Sequence, residues 1–558
     1  MQRWERDEGL PVHRHEHKKQ ATVYAYQHEI DDWRANREKQ GADTRSAARR
    51  LGVAALLLLG AVAVLAVVAN LASRPSEAPV AAGKRLIIVL PFADLSQEPL
   101  TPMADALTEE ISTRLAASDP ATLAVIARAS AMSFKSRQLP VDEMREQLNV
   151  DYALEGSIRH DDGIIRVAAQ LVETAGQSRV WSGNFAYPMG SWLDVQLKAS
   201  SDILAQIGSH LDIAESDSRV TRATEPEAYE HTLLGYHYFD QSLPPCESGL
   251  CAATESGNGP ATLPDAIAHF NAALELDADF VDAQIGLALS HATMAFFGAA
   301  PAAESYRELE RWAFRALELD ENNGEALALL GWVEFVYRWN WEEAERAMRD
   351  GVARQPNSPW THWLLANYLS AMDRPEEAIA SIDAAIRLDP VSPYVLTARG
   401  YILSNAGLNE ETLRHWAAAR ERLGNTAVLF RLEAHENVGD FDAAVRLLEE
   451  LGHPMATALR QGYESDGERG YWRALAESIE DDLAEHPDQF SYRYVVALSK
   501  LGEAAAAIDM LERGYNLRAP AMVFLPIYPL QPLYADPRFK DLVQRMNLPP
   551  PVPRQPVQ

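Results

Sequence analysis

The sequence predicts a multidomain chain: a short mixed head, one transmembrane helix, an α/β domain and an all-α solenoid. Three observations carry that prediction. Leu51–Ala69 (LGVAALLLLGAVAVLAVVA) is a run of nineteen apolar or small residues with no charge and no proline. Residues 85–213 alternate β-favouring runs with helical ones, which argues for a mixed sheet with helices packed on it. From about residue 220, amphipathic helices recur without strands at a period near 34 residues, the mark of a repeat array. At 558 residues the chain also exceeds what one core supports.

The formal charge of −29 is unevenly spread. Residues 1–50 carry 11 Lys/Arg against 9 Asp/Glu, net +2, which leaves −31 for the rest. A body that acidic repels nucleic acid and anionic lipid headgroups, so any polyanion contact is expected in the head alone.

Within the head, Arg3–Glu8 reads as the end of a helix stopped by Gly9. Leu10–His17 and Ala21–Tyr26 read as two strands of a hairpin around Lys18-Lys19, and Glu29–Glu38 as a helix with Ile30 and Trp33 on one face. His13, His15 and His17 share one strand face. A metal site could use that geometry, and a solvated strand accounts for it equally. The stretch RWE…GLPVHR…VYAY…EIDDW resembles the C-terminal half of a winged helix-turn-helix of the MerR/excisionase kind. That resemblance implies a partial winged helix over residues 1–40, with Arg3 and Arg6 near base edges or phosphates and Arg14, Lys18 and Lys19 on the DNA backbone. The family's first helix and turn would precede this stretch, so it implies either a longer native product or a remnant of a DNA reader.

Residues 41–50 form a basic linker. Extended to Ala72, the apolar run has 22 residues. At about 1.5 Å per residue that is about 33 Å of helix, enough for a hydrocarbon core about 30 Å thick. A signal peptide begins nearer the N-terminus and has a shorter apolar region. The expectation is therefore one transmembrane helix over 51–72. Arg45, Arg49 and Arg50 just before it put the N-terminus in the cytoplasm and the C-terminal domains in the periplasm of a bacterial inner membrane. Cys246 and Cys251, in PPCESGLC, are the only cysteines. One pair is too few for a structural zinc site and the spacing is not C-x-x-C, so a loop-closing disulfide is the simplest reading in an oxidising compartment.

After a Pro/Ala linker (73–84), Leu86–Phe92 is apolar throughout and reads as a strand buried on both faces. A helix over Pro102–Ser118, a strand at Thr122–Ala127, a short helix at Val141–Leu148, three β-runs (Asp151–His160, Ile164–Glu173, Arg179–Tyr187) and a closing helix from Trp192 follow. Asp161-Asp162-Gly163 marks a tight hairpin turn. The segments IIVLPFADLS, ADALTEEISTRLA, LAVIARASAMSFK, LNVDYALEGSIR, RVAAQLVET and VWSGNF resemble the TolB N-terminal-like domain, and in the same order. The resemblance covers residues 85–213 and implies a binding or assembly module, not a catalyst. Glu109 and Glu110 are adjacent and diverge on a helix, so they read as a solvated face and not as an acid/base pair.

Residues 220–545 are expected to form the array. WTHWLLANYLSAMDRPEEAIASIDAAIRLDP (360–390) is similar to a 34-residue tetratricopeptide repeat, with Leu365, Ala366, Leu369, Ala378, Ile382, Ala385 and Pro390 at the packing positions. Repeat ends align at Asp277, Asp320, Gln355 and Asp389, and the longer first interval places an insertion near Phe296–Ala303. Each helix pair buries its apolar face only by stacking on the next, which leaves a groove that usually receives a peptide or a partner helix. Trp332, Phe335, Tyr337, Trp339 and Trp341 read as packing within and between repeats. Residues 546–558 read as a disordered tail.

No nucleotide-binding, hydrolase or metalloprotease motif is present, and no cofactor or metal is expected. The chain is therefore expected to bind and not to catalyse. One expectation is a membrane-tethered transcription regulator resembling the CadC/ToxR type, with a possible homodimer passing the signal. The alternative is an envelope scaffold with a vestigial DNA-binding remnant.

Overall fold

The computed structural model describes residues 11–17, 20–35, 84–97, 100–127, 130–131, 145, 148–190, 192–211, 213, 226–242, 262–296, 299–423, 427–485, 489–527 and 529–549. It divides into two compact units, Met1–Ala82 and Gly83–Gln558. In the first, β1 (His13–His17) pairs antiparallel with β2 (Gln20–Tyr24), and a helix follows over residues 27–35. His13 Nε2 lies 2.8 Å from Glu29 Oε2, and its ring stacks on Tyr24.

Among the described residues, no helix is long and apolar enough to cross a membrane. This corrects the fold class: the transmembrane helix expected over 51–72 is not supported, and those residues lie outside the described ones. The placement in a bacterial inner membrane, with cytoplasmic head and periplasmic body, falls with it. The physical reason is that an apolar run states that a segment avoids water, not what covers it.

The second unit opens on β3 (Arg85–Val89), which is parallel to β5 (Leu123–Val125) on one side and to β6 (Tyr152–Asp161) on the other. β4 (Ala93–Asp94) also pairs with β6. β7 (Ile164–Glu173) and β8 (Ser178–Pro188) complete an antiparallel meander, giving the order β5-β3-β6-β7-β8. Asp161 pairs with Ile164 across a two-residue turn in which Asp162 (φ 48°) and Gly163 (φ 75°) are both left-handed. That backbone matches the twist of the strands it joins.

β3 is buried on both faces. Ile87 and Val89 join Leu107 and Ile111 of α1 (Thr101–Ser118) and Ala199 and Ile203 of α2 (Trp192–Leu211). Leu86 and Ile88 face the other way, into a cluster with Ala124, Ala153 and Leu388, and Leu388 belongs to the repeat array. Backbone groups seal this junction: Ala127 N donates to Leu388 O (2.7 Å), and Asn357 Nδ2 donates to Ala116 O (2.9 Å) and Leu123 O (3.1 Å). Ser130 Oγ donates to Asp389 Oδ1 (2.5 Å), and burial pushes that carboxyl up to about 6.

The acidic face expected on α1 is not solvated. Glu110 is 8% exposed, with Arg114 at 3.7 Å, and burial holds its carboxyl above the usual carboxylate range. The cause is α2, which packs on that stripe: Gln196 Nε2 donates to Ala106 O, and Arg114 donates to Ser200 and Ser201. α3 (Pro226–Gln241) packs on the Asp105 side of α1, where Tyr229 OH donates to Asp105 O.

Helix pairs then run in register. α3 packs on α4 (Leu263–Leu276), α5 (Val281–Phe296) on α6 (Ala302–Leu319), and α7 (Gly324–Val333) on α8 (Trp341–Arg354). α9 (Pro359–Ala371) packs on α10 (Pro375–Leu388), α11 (Pro393–Asn405) on α12 (Asn409–Leu423), and α13 (Val428–Asn437) on α14 (Phe441–Glu450). α15 (Met455–Glu485) is two helices across a kink at Asp466-Gly467, folded so tightly that a Cβ on Gly470 would overlap Gly462 O. α16 (Tyr492–Leu501) and α17 (Ala504–Leu517) follow, then short 3₁₀ turns and α18 (Pro537–Arg545).

Local sequence sets these starts. Ser358-Pro359 and Ser392-Pro393 stand one repeat apart, and each serine side chain accepts a backbone N–H of the first turn while proline supplies a pre-set φ. The stretched first interval comes mainly from longer helices, 16 residues in α5 and 18 in α6 against 13 and 14 in α9 and α10.

Candidate protein-binding wall of the repeat array

The first helices of the pairs, α5, α7, α9, α11 and α13, pack directly on one another and form one wall. α7 and α9 are apolar on nearly every side, whereas α13 carries Arg431, Glu433, His435 and Glu436. In α9 every residue from Leu364 to Ala371 is buried, whereas α10 buries only Ala378, Ser381, Ile382, Ala385 and Leu388. Leu365, Ala366, Ala378, Ile382, Ala385 and Pro390, the residues singled out for repeat packing, are all buried. Ala378, Ile382 and Ala385 lie on one stripe of α10 turned toward α9.

Much of the wall is covered from within the chain. At one end Phe239, from the end of α3, stacks on Tyr394 at 5.1 Å and meets Trp360 edge-on, and Ser242 Oγ lies 3.1 Å from Tyr394 OH. Rings continue through Trp363, Trp332 and Phe296. At the other end Phe524 packs edge-on against Phe335, and Trp341 Nε1 donates to Met546 O at 3.1 Å. Leu525, Leu530, Leu533 and Met546 are buried there, and so is Leu548, two positions into the expected tail. The aromatic run from Trp332 to Trp341 therefore meets the chain's own C-terminal segment. α7 ends in a π-helical turn (Glu334–Arg338), after which Trp339 takes a left-handed backbone and packs on Tyr515 with Arg518 stacked 3.9 Å above it.

Between these covers, α11 and α13 keep a partly open stretch. Tyr401 packs on Phe430 at 5.0 Å and its hydroxyl donates to Asn367. Asn405 Nδ2 donates to Ser370 Oγ (3.2 Å) and Asn437 Nδ2 to Ser404 Oγ (3.0 Å), so the polar pair recurs one repeat later. Glu433 borders this stretch. Its carboxyl accepts the Tyr492 hydroxyl, and burial pushes it up to about 7 against the pull of Arg493. Beneath it, Arg493 grips Glu436 with two hydrogen bonds (2.6 and 2.7 Å), and Tyr471 OH donates to the same carboxylate. The arrangement offers ring faces, amides and hydroxyls to an extended backbone. Sequence reading missed Tyr401, Asn405, Phe430 and Asn437, although Ser370 and Ser404 stand 34 residues apart.

The remaining candidate residues are not brought together. Arg3, Arg6, Lys18, Lys19, Cys246 and Cys251 lie outside the described residues, and of Arg14 only its pairing with Val23 is described. Among the described residues no group of three or more His, Cys, Asp or Glu side chains is placed to hold a metal ion.

A relative in Rhizobium meliloti (strain 1021), provisionally named adenylate cyclase 3, is 31% identical over 163 residues. The match covers 29% of this chain and 27% of the relative, so the chain spans about a quarter of that protein's length. Among solved structures, Pseudomonas aeruginosa PilF is similar at 16% identity, covering 45% of this chain and 97% of that one with a TM-score of 0.28. YrrB, described as a TPR protein with an unusual peptide-binding site, is similar at 19% identity over 32% of this chain and 89% of its own, with a TM-score of 0.22. Residues 361–392, which are α9, α10 and the turn after them, match the tetratricopeptide repeat family. The helical part of the chain thus carries a tetratricopeptide repeat domain.

Proposed function

We propose that this chain is a non-enzymatic adaptor that holds a protein or peptide partner on the open stretch of α11 and α13. Tetratricopeptide domains bind peptides or proteins, and scaffolds built from them are generally not enzymes. The observation that carries the reading is the partly buried stretch of Tyr401, Phe430 and Asn405 beside the exposed Asn437, set in a wall much of which is covered by the chain itself. Residues 85–213, which resemble a binding or assembly module, are held by the junction at Leu388 as part of the same adaptor. Leu365, Ala366, Ala378, Ile382, Ala385 and Pro390 serve packing and touch no partner.

The test is peptide selection on the purified chain, followed by affinity measurement on Tyr401→Ala and Asn405→Ala. Selected peptides are expected to lose about tenfold on each variant, a cost of about 1.4 kcal/mol. Peptides that bind both variants as tightly as the parent would move the site elsewhere.

A second reading concerns the head. The hairpin of β1 and β2 followed by a helix is compatible with a wing, and on this reading Arg3, Arg6, Arg14, Lys18 and Lys19 contact DNA. Gel shift of the full chain with mixed-sequence duplex tests it, and retention of the shift after charge reversal of Lys18 and Lys19 would refute it.

A further inference from the structure

The meander β6-β7-β8 has two faces: one packs against α1 and α2, and the other is buried at its Ala153–Val172 end and open at the opposite end. Leu154, Ile158, Ile165, Val167, Ala169 and Leu171 point into the cluster with α1 and α2. Alternation along each strand puts Arg159, Arg166 and Ala186 on the opposite face. The register sets Arg159 directly across from Arg166, and Arg166 across from Ala186. Both arginines are exposed, and neither makes a hydrogen bond or ion pair among the described residues.

Several arginines on the repeat helices are by contrast paired with carboxylates: Arg349 with Glu345 and Glu377, Arg374 with Glu345, Arg545 with Glu512. Acids outnumber bases by 29, and acidic residues are present on this face as well. Asp161 lies two positions along β6 without bonding either guanidinium, and Glu155 is held by Gln170 at 2.8 Å. Like charges directly opposite on paired strands cost stability. An external anion between the two forks would remove that cost and use their planar donors together. Two exposed apolar residues flank the pair: Ile164 is 36% exposed, and Leu95, whose N–H bonds Ile158 O beside Arg159, is 61% exposed.

We propose that the open face of this meander docks an acidic protein segment, whose carboxylates meet Arg159 and Arg166 and whose apolar side chains cover Ile164 and Leu95. Paired carboxylates spaced along a strand or loop match two guanidinium groups on neighbouring strands. The flanking apolar residues favour a protein over a free anion. This surface is separate from the stretch on α11 and α13, and the proposal does not depend on that reading.

The probe is a fluorescein-labelled decapeptide alternating Glu and Leu, titrated onto the full chain at low and moderate salt, with a Gln/Leu peptide as control. Binding to the Glu/Leu peptide is expected, weakening with salt. The Arg159→Glu, Arg166→Glu double variant should lose roughly tenfold or more, and the double lysine variant should lose less, because lysine keeps the charge but not the fork. Leu95→Ala should lose about threefold. Both arginines are exposed, so circular dichroism of the double variant is expected to match the parent, and Tyr401→Ala should leave this binding unchanged. The proposal is overturned by absence of Glu/Leu binding, by equal affinity of the charge-reversed variant, by equal binding of the Gln/Leu peptide, or by millimolar inorganic phosphate abolishing the peptide signal at constant ionic strength.

Discussion

α9 and α10 belong to one repeat, are nearly equal in length and pack on each other, yet they are buried in different ways. α9 has no free side, while α10 shows water an acidic first turn and keeps one apolar stripe. Stacking of neighbours alone would leave the first helices open on the groove side. They are closed here because Phe239 at one end and residues 524–546 at the other fill most of that side. Charges follow the same division. Glu436 and Arg493, on first helices, form a buried pair, and on the second helices exposed pairs such as Arg346–Glu343 occur.

The strongest way to break the contrast is Arg493→Met. It strands Glu436 in a buried site, and the loss expected in denaturant titration is about 3–5 kcal/mol. Arg346→Met on α8 should leave the midpoint unchanged. Next, Ala366→Leu on α9 should overpack the wall and cost about 1–3 kcal/mol, while Ala380→Leu on the exposed side of α10 should stay within about 0.5 kcal/mol. Equal effects of the two would mean that α9 is not covered as described.

A pH series sharpens the point at Glu433. Its folded carboxyl titrates at about 7, above the usual carboxylate value, so the protonated form is favoured on folding. That contribution is full below the unfolded value near 4.5 and is lost as pH rises through 7. Glu433→Gln should therefore match the parent near pH 4 and exceed it at pH 8 by about 1–3 kcal/mol. The smallest effect is at the junction of sheet and array. Asp389, at about 6 by burial, predicts that Asp389→Asn gains on the parent as pH rises from about 4 to 6 and keeps that gain above, read as a rise in melting temperature of a few degrees.

How much of this was legible in the sequence differs by element. The apolar run at β3, the Asp162-Gly163 turn and the spacing around Trp360–Pro390 each encode a local preference, and each stands where its period places it. Glu109 and Glu110 read as solvated because their own helix leaves them outside, and the covering of α1 comes from α2 and α3, much later in the chain. Phe239 and the segment around Phe524 carry no period that names their contacts, so the filled wall was invisible. The run at 51–72 shows the same limit, since hydrophobicity does not specify its environment.

The contacts of Phe524 and Met546 with Phe335 and Trp341 join a repeat to a segment synthesised about two hundred residues after it. During translation, the helices near residue 335 must wait with an unfinished surface until some two hundred further residues have emerged. A premature stop before residue 524 would therefore expose an apolar strip far upstream, and the resulting protein should be prone to capture by chaperones and to degradation.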